Sequence, residues 1–259
     1  MALRVVPVTV GIGVAAGTGK ILGSLALVSA GVRVELFARP GTIPAGTPGV
    51  VVREDPQPEE GLVRALMDGG IDAAVRGTLP SSTTLSFLKK ASGVPNLLRI
   101  ALLETGDGRK FLLAPVGVDE GWTMAEKVEL VERGREMAAA VGLPSTVAVL
   151  SGGRTGDRGR HEQVDRSLAE AERVAALTKA THAEILIEDA VGRFGMILAP
   201  DGISGNLIFR TLVLLGGGHG HGAPVVNLRE TFVDTSRATP DYARAINLAA
   251  ALAKRKKST

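Results

Sequence analysis

Arginines and hydroxyl side chains occur together at four places in this 259-residue sequence, three of them with glycine, a combination suited to gripping an anion. In RGTLPSSTT (76–84) an arginine and several hydroxyls follow a short apolar run, making Arg76, Thr78, Ser81, Ser82 and Thr83 candidate anion ligands. A guanidinium offers a fork of donors that matches phosphate or carboxylate, and ligands of open parallel sheets gather beyond the carboxyl ends of strands. The same hydroxyls serve equally as helix caps. SGGRTGDRGR (151–160) follows another apolar run and reads either as an anion-binding lid or as an exposed mobile loop. Ser151 and Arg154 stand nearest the strand end and are its candidates, whereas Arg158 and Arg160 read as solvated.

PDGISGNLIFR (200–210) reads as a strand stop, a cap at Ser204, and a helix that puts Asn206, Arg210 and Leu214 on one side at i, i+4, i+8. Gly202 and Gly205 would let a ligand approach the backbone, where unpaired N–H groups favour an anion. The alternative is a βα loop with a packing asparagine and a surface arginine. VDTSRATPD (233–241) offers Ser236 and Arg237 as an oxyanion clamp with Asp241 as proton acceptor, an arrangement for deprotonating a thiol or organising acyl transfer. Helix entry explains the same residues: Thr239 as cap, Pro240 at the first position, Asp241 at the positive end of the dipole. GVAAGTGK (13–20) fails as a P-loop, because Val14 stands where glycine is needed and Ile21 where a Mg²⁺-holding hydroxyl is needed. A glycine turn that touches phosphate through backbone N–H groups or Lys20 remains open beside a plain βα turn.

Positioning these segments requires alternating strands and helices. Apolar runs predict strands at 5–10, 32–37, 73–75, 98–103, 111–115, 147–150, 185–188, 196–198 and 225–226. Helical patterns predict helices at 20–30, 59–68, 83–90, 123–140, 162–178, 206–215 and 241–253. Such alternation means βαβ units and mostly parallel sheets. ETGDGRK (104–110) is a hairpin-like turn, so one antiparallel ribbon is expected. Gly142-Leu143-Pro144 has the composition of a linker between two domains.

Composition narrows the function classes. With no cysteine and four histidines, disulfides, thiolate metal sites and cysteine nucleophiles are excluded, and no metal is expected. The formal charge of +3 owes much to the KRKK run at 254–257; the 26 basic residues outside it nearly balance the 27 acidic ones. Near-neutrality, with six Phe, one Tyr and one Trp, argues against a nucleic-acid face. The first apolar run is interrupted by Arg4 and Pro7, far short of the roughly 20 residues of a membrane helix. No signal-peptide layout is evident, so neither nucleic-acid nor membrane partners are expected and the protein is expected in the cytoplasm. Neither a glycine-rich adenosylmethionine loop with its acidic ribose partner nor a cobalamin-ligating histidine pattern is evident.

Taken together, the segments 77–84, 147–151, 199–210 and 234–237 resemble those of the phosphate acyltransferase superfamily, the phosphotransacetylases and phosphotransbutyrylases among them. The whole chain is also similar to a short methanogenesis-marker branch that is methyltransferase-related. The resemblance implies an α/β fold of two domains with isocitrate/isopropylmalate-dehydrogenase-like architecture and mostly parallel sheets. Residues 1–142 plus 232–259 would form the first domain and 143–231 the second. It implies a homodimer, a small anionic substrate and no tightly bound cofactor, with phosphate and coenzyme A as substrates. Ser236 and Arg237 would contact phosphate or an acyl phosphate, Asn206 and Arg210 would line a cleft, and Asp241 would match the catalytic aspartate after a one-residue shift. Arg210 stands where those enzymes carry lysine, and Ala238 replaces their glycine. The competing implication is a non-catalytic anion-binding accessory protein of methanogenesis.

Overall fold

The structure is a computed structural model that describes residues 7–47 and 50–258; the expected first strand's residues 5 and 6 fall outside them. The chain divides into two compact units, Met1–Leu97 with Asn227–Thr259 as unit 1 and Leu98–Val226 as unit 2.

Unit 1 begins with β1 (Val8–Val14), α1 (Thr18–Leu25), β2 (Val32–Ala38), β3 (Val51–Glu54), α2 (Pro58–Met67), β4 (Ala73–Val75) and α3 (Ser81–Ser92). After the passage through unit 2 it is completed by β12 (Phe232–Asp234) and α8 (Ala243–Ser258). Strands β12-β4-β1-β2-β3 lie side by side, all parallel. Central β1 reads VTVGIGV because a parallel strand covered on both faces loses polar alternation. Val10, Ile12 and Val14 join Ile21, Val75, Val233, Tyr242 and Ile246 in one core. The strands β3 and β12 were not foreseen, since four and three residues give too little periodicity to read.

Unit 2 contains β5 (Ala101–Glu104), β6 (Lys110–Ala114), α4 (Met124–Val141), β7 (Val147–Val149), α5 (Glu162–Thr178), β8 (Thr181–His182), α6 (Ile187–Ala190), β9 (Met196–Leu198), α7 (Gly202–Arg210), β10 (His219–Gly220) and β11 (Ala223–Pro224). Its sheet runs β10-β5-β6-β9-β7-β8, antiparallel across β10-β5-β6 and parallel beyond. The expected antiparallel ribbon is β5–β6.

The domain boundary expected at 142/143 is corrected: the chain divides after Leu97 and after Val226, so β5, β6 and α4 belong to the second unit. Gly142 is no linker. It is the left-handed stop of α4 (φ 75°), with its N–H and that of Leu143 both returning to the Ala138 carbonyl. The strand expected at 185–188 is instead a single helical turn, α6, after Glu184 leaves the extended region at φ 55°. The apolar run at 225–226 lies just past the two-residue β11.

One glycine brings the ends of β1 and β4 together. Gly77 has φ 62°, and a Cβ there would run into the Gly13 carbonyl. Gly93, the C-cap of α3 at φ 71°, has open space where its Cβ would go. Gly93→Ala should therefore cost about 1 kcal/mol of left-handed strain. Gly77→Ala adds a backbone collision, and its urea-unfolding midpoint should fall well below that of Gly93→Ala. Equal midpoints would refute the close approach.

Candidate functional site

In unit 1, the segments that leave β1, β4 and β12 meet at the carboxyl end of the sheet. Arg76, 4% exposed, follows β4 and organises them. Its Nε donates to Asp234 Oδ1 (2.5 Å), one terminal nitrogen to the Leu79 carbonyl (2.6 Å) and the other to the Thr235 carbonyl. Arg76 is thus an internal tie and not an anion ligand, correcting the expectation. The tie holds the residue before Pro80, where α3 starts, beside the residue before Ser236.

Thr78 is also buried. Its Oγ1 accepts the N–H groups of Ala15 and Ala16 (2.9 and 3.2 Å), which pins the glycine turn after β1. The lysine of that turn is engaged elsewhere: Lys20 Nζ donates to the carbonyls of Thr239 (2.8 Å) and Arg237 (3.4 Å).

The start of α3 is left open. Pro80 is its N-cap and makes no side-chain cap, so the N–H groups of Ser81, Ser82 and Thr83 have no acceptor among the described residues. The capping alternative for these hydroxyls does not hold at the first turn; only Thr84 bonds back, to the Pro80 carbonyl. Ser236 Oγ accepts the Ala238 N–H (3.2 Å), which leaves its own proton to donate, and the Arg237 side chain is exposed.

Asp241 is a correction. Its Oδ1 accepts the Ala243 N–H at 3.1 Å, so the carboxylate caps α8, and Thr239, the expected cap, donates instead to the Asp241 carbonyl (3.0 Å). That bond uses one carboxylate oxygen and gives Asp241 the helix-entry role.

Unit 2 carries the other candidates. Ser151, 1% exposed, follows β7 and donates to the Gly153 carbonyl (2.8 Å). His182 Nε2 lies 2.9 Å from the same oxygen. A hydroxyl has one proton, and with it on Gly153 the imidazole is the donor, so this pair is not an activated nucleophile. His182 was missed because nothing in the sequence ties it to a serine 31 residues away. Arg154 is exposed, while Arg158 and Arg160 pair with Glu172 (2.7 Å) and Asp157 (2.5 Å). The 151–160 segment is a bonded loop: Gly152 N–H reaches Ser167, Gly159 N–H reaches Asp165, and both the N–H and the hydroxyl of Thr155 reach Glu184 Oε1 (2.8 and 2.6 Å).

On α7 the cap is Asp201, which accepts the Ser204 N–H (2.8 Å), and not Ser204. Asn206 donates to the Val116 carbonyl (3.0 Å) and so packs the loop after β6. Gly202 and Gly205 admit not a ligand but the protein's own backbone, the carbonyls of Gly117 and Pro115. Arg210 is exposed at the end of α7, and the π-turn Thr211–Leu215 that follows takes Leu214 off the expected line with Asn206. No described helix is long and apolar enough to cross a membrane, and no group of three or more His, Asp or Glu among the described residues is placed to hold a metal.

Two Methanosarcina proteins align with three quarters or more of this sequence. The protein named "Putative methyltransferase mtx subunit X" in Methanosarcina acetivorans is 51% identical over 200 residues, 75% of this chain and 71% of its own length. The protein of the same name in Methanosarcina barkeri is 45% identical over 236 residues, 89% of this chain and 84% of its own. The chain belongs to the mtx subunit X family. No protein-family model matches it.

Among solved structures, a branched-chain phosphotransacylase from Enterococcus faecalis V583 superposes with a TM-score of 0.73 at 20% identity, covering 96% of this chain and 99% of that one. A phosphotransacetylase from Streptococcus pyogenes gives 0.70 at 15% identity, covering 97% and 96%. This mtx subunit X relative therefore has a phosphotransacetylase-like α/β fold with mostly parallel sheets. The expected isocitrate/isopropylmalate-dehydrogenase-like architecture is corrected to this phosphotransacetylase-like one, on the superpositions at 0.73 and 0.70.

Two outcomes follow from the bonding around the candidates. Asp234→Ala leaves the Arg76 guanidinium buried without its counter-charge and should lower stability by about 3–5 kcal/mol in urea unfolding; a loss under 1 kcal/mol would show that the pair is not what holds the strand ends. The two hydrogen bonds from Thr155, side chain first, hold the Glu184 carboxyl below its usual range. A lowered folded pKa gives a stabilisation that is complete above the ordinary value of 4.5 and is lost as pH falls through the lower folded value. Amide exchange at the Thr155 N–H, corrected for intrinsic rates, should therefore accelerate below pH 4.5 in the parent and lose that pH response in Glu184→Gln.

Proposed function

We propose that this protein binds a small phosphorylated or acyl-phosphate-like anion at the carboxyl end of the unit 1 sheet, on the open start of α3 together with Ser236 and Arg237. The observation that carries the reading is the Arg76 tie, which puts Leu79 and Thr235 on one guanidinium and so sets two donor segments side by side. Unpaired helix-start N–H groups, two adjacent hydroxyls and an exposed guanidinium are the donor set an oxyanion needs.

Acyl transfer between phosphate and a thiol such as coenzyme A is the second reading, and the likeness to a branched-chain phosphotransacylase is what favours it. It would need Asp241 to act through its second oxygen, since Oδ1 is engaged by the protein's own helix. We therefore favour binding over chemistry. The relatives' name, a methyltransferase subunit, is in keeping with an accessory role beside a methyl-transfer system. The same proposal has the protein working in the cytoplasm as a homodimer, with no tightly bound cofactor.

Calorimetric titration with inorganic phosphate tests the binding. Arg237→Ala removes a charge-assisted contact and should weaken phosphate by about 10–100-fold, while Arg154→Ala, in unit 2, should leave it unchanged. Acyl phosphate with coenzyme A should give no thioester above the protein-free rate; turnover that is abolished by Arg237→Ala would overturn the binding-only reading in favour of transfer.

A further inference from the structure

Five large apolar side chains of unit 2 stand in water close to one another, each between 49% and 85% exposed. Ile203 and Leu207 lie four residues apart on α7. The π-turn carries their line onward: the Gly216 N–H closes it on the Thr211 carbonyl (2.8 Å), and the wider turn brings round Leu215. Val118 and Trp122 stand beside the start of the stripe, because the Glu120 carbonyl accepts the Gly202 N–H and the Val116 carbonyl accepts the Asn206 amide. The indole N–H donates to the Val118 carbonyl (3.0 Å), which makes these two a single feature.

The fold of unit 2 does not use this stripe. Its core is served by Ile208, Phe209, Leu212 and Val213 of the same segment, so Ile203, Leu207 and Leu215 are a second apolar face on one short helix. Single exposed leucines need no explanation, whereas a contiguous apolar patch marks an interaction surface. Charges of opposite sign close its two ends. Asp119 sits in the turn against the start of α7, its side chain 80% exposed although Arg99 lies 3.0 Å away. Arg210, exposed, is the last residue of α7, about 12 Å further along the axis.

We propose that this face joins two copies of the chain, with α7 antiparallel to its counterpart across a two-fold axis. The inference rests on the homodimer reading above and names its surface. An isologous contact needs a patch complementary to itself, and the order acid, apolar stripe, base has that property. Turning one copy end over end lays Leu207 against Leu207, Arg210 toward Asp119, and Leu215 over Val118 and Trp122. The result has the apolar core and charged rim of a specific interface. A lipid surface would call for a basic rim, and this rim carries one charge of each sign.

Trp122 is the sole tryptophan of the chain, so its fluorescence reports this face directly. Sedimentation velocity of the full chain at micromolar concentration should show a dimer, and dilution to monomer should raise acrylamide quenching of the indole. Leu207→Asp places a charge at the centre and should raise the dimer dissociation constant by about 100-fold or more, with Trp122 quenched as in the dilute parent. Leu27→Asp, equally exposed but in unit 1, should leave the dimer unchanged. Arg210→Glu should weaken association about tenfold, and adding Asp119→Lys should restore most of it. Far-ultraviolet circular dichroism matching the parent separates lost association from lost fold. A parent dimer that Leu207→Asp leaves intact overturns the surface while the homodimer stands; a monomeric parent overturns both.

Discussion

A guanidinium taken out of water must find acceptors for its fork, because an unpaired buried charge costs far more than any contact nearby returns. Arg76 meets this demand with one carboxylate and two carbonyls, and every acceptor lies on a segment leaving the carboxyl end of the unit 1 sheet. Meeting it fixes the relative placement of β4, β12 and the start of α3. Unit 2 repeats the device with different residues. Arg99 bonds the carboxylate of Glu120 and lies 3.0 Å from that of Asp119, and Glu120 accepts the Gly117 N–H. The Glu120 carbonyl in turn accepts the Gly202 N–H at the start of α7. Replacing such a pair with well-packed apolar groups is often neutral for stability, so its value here lies in where it puts the loops.

The alternation of elements was legible because parallel strands such as VTVGIGV announce themselves as unbroken apolar runs, and the turn in ETGDGRK marks the one place where a crossover is replaced by a hairpin. The domain boundary was not legible. A glycine-proline sequence after a long helix is equally the mark of a linker and of a left-handed helix stop, and Gly142 is the second. What assigns β5 and β6 to unit 2 is the pairing of β6 with β9, a contact across more than eighty residues that no local pattern carries.

The candidate site divides along a similar line. Donor types can be read from sequence, but their acceptors are mostly backbone carbonyls, which every residue has. Arg76 and Asn206 look like ligands until the carbonyls of Leu79, Thr235 and Val116 are found in front of them. Asp241 was readable both ways, and the structure takes the helix-capping way.

Of the helix starts that follow strands of the unit 1 sheet, those of α1 and α3 invite comparison, and the physics separates them. The glycine turn before α1 has the composition of a phosphate cradle, yet two of its N–H groups are held by Thr78 and its lysine by the carbonyls of Arg237 and Thr239. An anion there would have to displace bonds already made. The start of α3 asks for no such exchange: its first N–H groups lack acceptors among the described residues, and Pro80 at the cap supplies neither a donor nor a side-chain acceptor. Water is the competitor at α3, protein is the competitor at α1, and displacing water is the smaller loss. The turn that resembles a nucleotide loop therefore braces the Arg237 segment, and the SST start is where the proposed anion would meet donors not already bonded among the described residues.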